Sequence, residues 1–459
     1  MQPTDNDSNL VKARSSIVWI LAIVCAFSAV WWIEKESGKT LIAQASNQGA
    51  GVKSSGSATH ATAPLLQPSA DLPVLPGPRA LTPQELAWAT TGWAYFENNV
   101  DPATGLANSV AGFPSTTLWD TASYLMALLS ARDLDLIDTK VFDDRMARAL
   151  ASLAKLPLYG NALPNKSYDT RTLAMTDYDN KPSDGGIGWS AIDIGRLLVP
   201  LNVIAWHHPK HTEAARQVIA RWNTGQLTRG GELFGMQANP GAAPQALQEG
   251  RLGYEQYAAR TLSLMGLDVA AASDWQHQLQ VVNVDGVQVP ADARDPKQFG
   301  AQNFVVSEPY VLAGLEFGWS QAAADYAWRV YRAQQARFRR TGVLTAVTED
   351  HVDQAPFFVY NSVYTAGRPW ATVTDKGADA SALRSLSTKA AFGWYALYRD
   401  AYSNQLVDAV VPLGDPQQGW LAGLYEEGKR PNKSLTANTN AVVLESMAYI
   451  ARGPALRYR

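Results

Sequence analysis

The stretch LGYEQYAARTLSLMGLD, from Leu252 to Asp268, has the pattern that decides the fold. Its apolar residues recur at helical spacing and few of its residues are charged, so we expect a helix that is buried on most sides. Glu255 lies on the same helical face as Ala258 and Leu262, where this period places core side chains. Because burial of an unpaired charge is costly, Glu255 is expected either to have a partner or to face a wet cavity.

Six segments of the chain share this apolar character, and helices with one charged face or irregular stretches lie between them. The six apolar helices begin near Leu118, Trp189, Gly253, Ser307, Thr388 and Asn438. Six buried helices that alternate with six outer ones predict an all-α domain at 81–459, an (α/α)6 barrel of helical hairpins. The alternative is an α-solenoid, but the spacing varies too much for a fixed repeat. A small β-hairpin insertion is predicted in QLQVVNVDGVQVPA, which turns at Asp285 and Gly286.

The residues before this domain differ from it in composition. SSIVWILAIVCAFSAVWWI, from Ser15 to Ile33, is an uncharged apolar run that follows Lys12 and Arg14 and is long enough to cross a bilayer. A cleaved signal peptide is the alternative, because Ala43 to Ala45 resembles a cleavage site. We expect a transmembrane signal-anchor at 15–33, a cytoplasmic N-terminus at 1–14 and a flexible tether at 34–80. In a bacterium, this places the protein in the inner membrane as a single-pass protein whose large domain lies in the periplasm.

Charge and cysteine content narrow the classes of function. The formal net charge of -3 gives no reason to expect a nucleic-acid partner. The single cysteine, Cys25, lies in the apolar run, so the exported part has no intramolecular disulfide. The 15 Trp and 18 Tyr residues offer flat faces that suit sugar rings, although they suit a helical core equally well.

The inner helices of such a barrel run in one direction, so their N-termini share one end. Four acids lie at these helix heads: Asp120, Asp193, Glu255 and Glu308. The substrate-binding candidates beside them are Trp119, Trp189, Tyr254, Tyr310, Lys389, Trp394, Trp420 and Asn438. Glycoside hydrolysis needs such a set, because one carboxyl protonates the departing oxygen while another activates water or attacks the anomeric carbon. Any one of these acids is equally explained as a capping charge in the first turn of its helix.

Two loops carry further polar groups. VLTAVTEDHVDQAP offers Glu349, Asp350 and His351, which join the site if this loop covers the barrel mouth. In MTDYDNKPSDGG, the oxygen-bearing side chains are those of Asp177, Asp179, Asn180 and Asp184. Their spacing partly matches a calcium loop, but the terminal Glu is absent, so we expect no metal and no cofactor.

Seven blocks of the sequence resemble, in one order, a bacterial domain family of unknown function that is associated with exopolysaccharide genes. The blocks are TTLWDTASYLMALLSARDL, TDYDNKPSDGGIGWSAIDIGRLLVPL, QEGRLGYEQYAARTLSLMG, VVSEPYVLAGLEFGW, LTAVTEDH, LSTKAAFGWYALY and TANTNAVVLES, and they cover about Leu81 to Tyr458. That family in turn resembles the six-hairpin glycosidase superfamily, which includes endo-β-1,2-glucanases. The resemblance implies an acid important for activity at Glu255, after Tyr254, and a second contributor at either Asp193 or Asp120.

Three functional hypotheses follow. The leading one is a membrane-anchored periplasmic glycoside hydrolase that acts on an exported glucan or exopolysaccharide, with the secretion machinery as a further partner. Glu255 would be its general acid, and Asp120, Asp193 or Glu308 its base. A polysaccharide lyase is the second hypothesis, in which the reaction would use His351, Tyr364, Arg368 and Lys389. The third is a polysaccharide-binding or assembly protein without catalysis.

Overall fold

The computed structural model describes residues 66–238, 241–296 and 302–456. The predicted cytoplasmic N-terminus at 1–14, the predicted anchor at 15–33 and residues 34–65 of the predicted tether lie outside these ranges. Among the described residues, no helix combines the length and the apolar character that a membrane crossing requires.

Helices form the framework of the domain. In chain order they are α1 (Pro83–Asn98), α2 (Leu118–Asp133), α3 (Thr139–Leu153), α4 (Ala191–His207), α5 (Thr212–Ala220), α6 (Tyr254–Leu264), α7 (Ala270–Ser273), α8 (Glu308–Leu312), α9 (Gln321–Thr341), α10 (Thr388–Tyr398), α11 (Ala401–Val410) and α12 (Ala437–Arg452). A π-helical turn at Ala313–Phe317 continues α8. The six even-numbered helices begin within two residues of the predicted apolar starts, so the alternation in the sequence located them correctly.

The six even-numbered helices form a closed inner ring. Each packs on the next, from α2 through α4, α6, α8 and α10 to α12, and α12 packs back on α2. The odd-numbered helices lie outside this ring. Each of them packs on the inner helix that precedes it in the chain, except α1, which packs on α12. The inner helices are buried almost all round, as in α2, where 13 side chains from Leu118 to Ala131 are buried. This alternation explains the two kinds of helix in the sequence.

Local signals fix where several helices begin and end. Thr82 and Glu85 form a capping box at the start of α1, with Pro83 at the first helical position. The Ser190 hydroxyl accepts a hydrogen bond from the Asp193 N–H and so caps α4. The outer helix α9 ends at Gly342, which has a left-handed backbone (φ 72°) that glycine adopts without strain.

Strands are more numerous than the all-α prediction allows. They are β1 (Ser115–Thr117), β2 (Leu158–Tyr159), β3 (Leu163–Pro164), β4 (Ser167–Asp169), β5 (Thr228–Arg229), β6 (Glu232–Gln237), β7 (Gln245–Gln248), β8 (Leu279–Val284), β9 (Val287–Asp292), β10 (Glu349–His351), β11 (Phe358–Asn361), β12 (Tyr364–Thr365), β13 (Arg368–Pro369), β14 (Thr372–Val373), β15 (Ser385–Ser387), β16 (Gly414–Asp415), β17 (Gly419–Tyr425) and β18 (Pro431–Leu435). All pair antiparallel, and β8 and β9 form the predicted hairpin. Several end just before an inner helix, as β1, β15 and β18 do before α2, α10 and α12. Short β-structure therefore builds the end of the barrel where the inner helices begin.

The segment at 66–80 needs a correction, because it packs on the domain instead of forming a free tether. The Ser69 N–H donates to the Asp325 carboxylate at 2.7 Å, and the Trp328 indole donates to Asp71 at 3.1 Å. Leu72 and Leu75 pack against the core. A proline-rich segment without helical periodicity can still dock in extended form when apolar side chains and hydrogen-bond partners are available. The packed domain thus begins before Leu81.

The close approach of α4 and α6 gives a first prediction. A Cβ added at Gly195 would lie 2.7 Å from the Cβ and 3.0 Å from the Cα of Ala258, so the two helices would have to separate. We expect Gly195→Ala to lower the free energy of unfolding by about 1–3 kcal/mol, the usual cost of overpacking. Denaturant unfolding measures this loss. The matched control is Gly185→Ala, where the added Cβ meets nothing within 4 Å; an equal loss in both variants would contradict the packing argument.

Candidate active site

Glu308 joins the heads of four inner helices. One of its carboxylate oxygens, Oε1, accepts hydrogen bonds from the Trp119 indole at 3.1 Å and from the Asn438 amide at 2.7 Å. The other, Oε2, is bound by the ammonium group of Lys389. These residues come from α8, α2, α12 and α10, so the structure brings four of the predicted site residues together. With both oxygens engaged by donors, Glu308 fits a positioning role better than that of a proton donor.

A second buried acid lies on the other side of Lys389. Asp350 accepts a hydrogen bond from the Ser387 hydroxyl at 3.2 Å, and its Oδ1 is 3.9 Å from the Lys389 ammonium. Burial raises the pKa of Asp350 well above its ordinary value, and the positive charge of Lys389 only partly offsets this. Burial likewise raises the pKa of Glu349 and lowers that of His351. The β10 loop therefore joins the site.

Asp193 is the partly exposed acid whose pKa is most suited to proton transfer. Burial of its carboxyl, followed by the charges of Glu249 and Asp120, raises its pKa to about 7, against an opposing contribution from Lys166. Asp120 lies near it, at the head of α2, where the Thr117 hydroxyl donates to its carboxylate at 2.7 Å. A carboxyl group protonated near neutral pH beside a second carboxylate is the arrangement that acid–base chemistry requires.

The charges of Glu249 and Lys166 also act on Asp193, although the sequence did not identify either residue as part of the site. The Glu249 carboxylate accepts the Ala191 N–H at 2.5 Å and so occupies the N-terminus of α4, and burial raises its pKa. Glu249 follows β7 directly, whereas the sequence predicts no strand in that region. The only available signal was an acid placed shortly before the helix that carries Glu255.

The carboxylate of Glu255, which lies on an otherwise apolar helical face, has charged and polar partners. Its carboxylate accepts hydrogen bonds from the Arg294 guanidinium at 2.6 Å and from the Gln248 amide at 3.0 Å. Arg294 is also bound to Asp292 at 2.6 Å. Burial raises the pKa of Glu255, and the shared Arg294 only partly opposes this effect. The contacts describe a buried ion cluster, and the catalytic role of Glu255 stays a prediction.

Four of the predicted stacking residues lie inside the protein. Trp189, Tyr310, Trp394 and Trp420 are each 4 % exposed or less. The Trp394 indole donates to the Ser307 hydroxyl, and the Trp420 indole donates to the Trp88 carbonyl. These rings therefore have no face open to a sugar, because proximity to a helix head in sequence does not fix which way a side chain points. Trp119 and Tyr254 are only partly buried and make an edge contact with ring centroids 5.6 Å apart.

The loop that partly matches a calcium loop is a hydrogen-bonded turn. The Asp177 carboxylate accepts the N–H groups of Asp179 and Lys181, each at 2.9 Å, and Asp179 pairs with the Lys181 ammonium. The Asn180 amide donates to the Pro114 carbonyl and to Asp169, each at 3.1 Å. The side chains of Asp177, Asp179 and Asn180 thus hold the turn itself.

Comparison with solved structures defines the class of fold. The chain is similar to a glucoamylase-like protein from Bacteroides caccae, with a TM-score of 0.60, 13% identity and coverage of 81% of this chain and 94% of that one. An endo-β-1,2-glucanase from Chitinophaga pinensis, in complex with sophorotriose and glucose, has a TM-score of 0.58 at 12% identity, with coverage of 82% and 94%. One from Talaromyces funiculosus, in complex with sophorose, has a TM-score of 0.54 at 13% identity, with coverage of 81% and 83%. The chain thus shares the fold of these three proteins.

Sequence comparison identifies the family. Residues 87–453 match the family described as Protein of unknown function (DUF3131), and the chain belongs to that family. No curated protein matches the sequence.

Proposed function

We propose that this protein is a glycoside hydrolase that acts on a neutral β-glucan, with Asp193 as its general acid. The observation that carries the proposal is a partly exposed carboxyl group at the head of α4, where burial and the charges of Glu249 and Asp120 raise the pKa to about 7. In the reaction, the protonated Asp193 donates its proton to the glycosidic oxygen as the bond to the anomeric carbon breaks. Asp120 removes a proton from the attacking water, or attacks the anomeric carbon itself, and these are the two known routes of such hydrolysis.

The charge of the site favours a neutral polymer. Its acids are Asp120, Asp193, Glu249, Glu308, Glu349 and Asp350, whereas its lysines are Lys166 and Lys389. A uronate-bearing chain would place further carboxylates beside these acids, which raises the cost of binding it. The lyase hypothesis needs a cation to neutralise that uronate, but Lys389 is already bound to Glu308, and Arg368 lies on the exposed β12–β13 hairpin. The glucan complexes of the structural neighbours agree with this substrate class.

The cellular setting is proposed from the sequence alone. The apolar run at Ser15 to Ile33, preceded by Lys12 and Arg14, supports a single-pass anchor with the domain on the periplasmic side. The substrate would then be a glucan on its way out of the cell, and the secretion machinery would be a neighbour.

The test is a reducing-end assay with the purified full-length chain. Linear β-1,2-glucan, β-1,3-glucan and soluble cellulose derivatives are the neutral polymers, and alginate is the acidic one. We expect new reducing ends from a neutral β-glucan and none with Asp193→Asn. An unsaturated product that absorbs in the ultraviolet would support the lyase instead. Binding of a polymer without any cleavage would support the non-catalytic alternative.

Glu255→Gln separates the two candidate acids. Loss of a general acid lowers kcat by about 10²–10⁴-fold, whereas loss of a carboxylate already engaged by Arg294 acts mainly on stability. We expect Glu255→Gln to change kcat by less than about 10-fold, because the acid–base step does not use it. If Glu255→Gln lowered kcat as much as Asp193→Asn does, Glu255 would be the general acid.

A further inference from the structure

Tyr178 is an exposed aromatic side chain at the mouth of the site. It is 62 % exposed, whereas most large aromatic residues among the described residues are buried. The turn that carries it is bonded through the Asn180 amide to the Pro114 carbonyl, directly before β1, and β1 leads into the head of α2, which carries Asp120. Tyr178 thus lies at the end of the barrel where the inner helices begin, and its side chain stays open to solvent.

The turn that carries Tyr178 is fixed on both sides. The Asp177 N–H donates to the Lys181 carbonyl at 3.0 Å, and Thr176 and Pro182 form an antiparallel bridge at its base. Asn180, with a left-handed backbone (φ 61°), ties the turn to the strand β4 and to Pro114 through its side-chain amide. Because the backbone of this turn is already fixed, a ligand that stacks on Tyr178 would not have to order the loop.

A second aromatic group borders the mouth from another part of the chain. The phenol of Tyr360, on β11, lies within the electrostatic reach of Asp193, Glu308 and Tyr178. The Phe304 ring stacks on the Tyr360 ring with centroids 3.8 Å apart and an angle of 5° between the planes, which fixes its orientation. Tyr178 and Tyr360 therefore both lie within electrostatic reach of Asp193 but come from parts of the chain about 180 residues apart.

On the basis of the proposed function, we propose that Tyr178 is a sugar-stacking platform that holds one ring of a neutral β-glucan chain at the mouth of the site. The C–H face of a glucose ring is apolar and packs on an aromatic face, while sugar hydroxyls bond the polar groups around it. Tyr360 borders the same path. Tyr178 is then a binding residue, and the bond-breaking step takes place below it, at Asp193.

The test measures binding and hydrolysis separately in the full-length chain. Isothermal titration with linear β-1,2-gluco-oligosaccharides is compared between the wild type, Tyr178→Ala and Tyr178→Phe. Trp206→Ala is the matched control, because Trp206 is 46 % exposed but lies 13 residues beyond Asp193 on α4, roughly 20 Å along the helix. We expect Tyr178→Ala to weaken binding at least 10-fold, and Tyr178→Phe and Trp206→Ala to bind like the wild type.

The outcomes distinguish this inference from the proposed function. Equal affinity of Tyr178→Ala and wild type would overturn the platform, even if hydrolysis is confirmed. Weaker binding by Tyr178→Ala, with no hydrolysis by the wild type, would support the platform and reject the hydrolase. Absence of binding to the wild type would overturn the platform for this class of polymer.

Discussion

Asp193→Asn is expected to lower kcat on a β-glucan by about 10³-fold while it leaves KM within about 3-fold, because proton donation is used only in the transition state. In the wild type, kcat should fall as the pH rises through about 7, where Asp193 loses the proton it has to donate. A pH profile of kcat measures this fall.

The same substitution is expected to stabilise the protein at alkaline pH. Because the folded-state pKa of Asp193 is raised from 3.8 to about 7, the folded chain holds a proton that the unfolded chain releases between these values. Its contribution to stability is therefore lost as the pH rises through that window. The difference corresponds to at most about 4 kcal/mol, which solvent access to the side chain reduces to about 2 kcal/mol. Asn carries no charge, so the variant should be more stable than the wild type at pH 8.

The control for both effects is Asp408→Asn, an exposed residue on the outer helix α11. It should alter neither the pH profile of kcat nor the Tm at pH 8. If Asp193→Asn left kcat unchanged, Asp193 would not be the acid. If the Tm of Asp193→Asn were lower at pH 8 than that of the wild type, its carboxylate would be stabilised in the folded protein, contrary to the raised pKa.

The framework could be predicted because it depends on periodicity. An inner helix is enclosed by neighbours and tolerates few charges, whereas an outer helix such as α3 needs one polar face, and both patterns are visible within a single segment. The predicted starts at Leu118 and Thr388 coincide with the observed first residues of α2 and α10. The strands of only two or three residues, such as β1 and β15, were missed because so few residues cannot show an alternating pattern.

The site could be predicted only in part, because side-chain direction depends on tertiary contacts. The inner helices begin at the same end of the barrel, and this was predictable from their shared direction. Their first turns therefore place four predicted residues in contact: Trp119, Glu308, Lys389 and Asn438. Glu255 occupies the same position on its own helix, but its carboxylate is bound by Arg294, which lies 39 residues later in the chain. Glu249 and Tyr178 come from loops, whose positions no periodic pattern specifies.

One buried cation, Arg196, contacts two buried acids, Glu316 and Glu445, close to the candidate site. Arg196 on α4 is fully buried; its guanidinium contacts Glu316 and lies 3.0 Å from the Glu445 carboxylate and 2.8 Å from the Tyr257 hydroxyl. Glu316 is placed there by the π-helical turn after α8. This guanidinium lies over the Trp119 ring, 5.4 Å from the ring centroid, and the Trp119 indole donates to Glu308.

Arg196→Met is expected to lower the free energy of unfolding by about 3–5 kcal/mol, because it leaves buried carboxylates without their counter-charge. Glu445→Gln should cost much less, since burial raises the pKa of Glu445 and Gln keeps the oxygen that Arg196 binds. Denaturant unfolding of both variants measures this asymmetry, and Arg216→Met, on an exposed position of α5, is the control. A loss below about 1 kcal/mol in Arg196→Met would mean that Glu316 and Glu445 are both protonated when the guanidinium is absent. The expected larger loss would instead show that the guanidinium maintains charge beneath the site, and with it the support under Trp119.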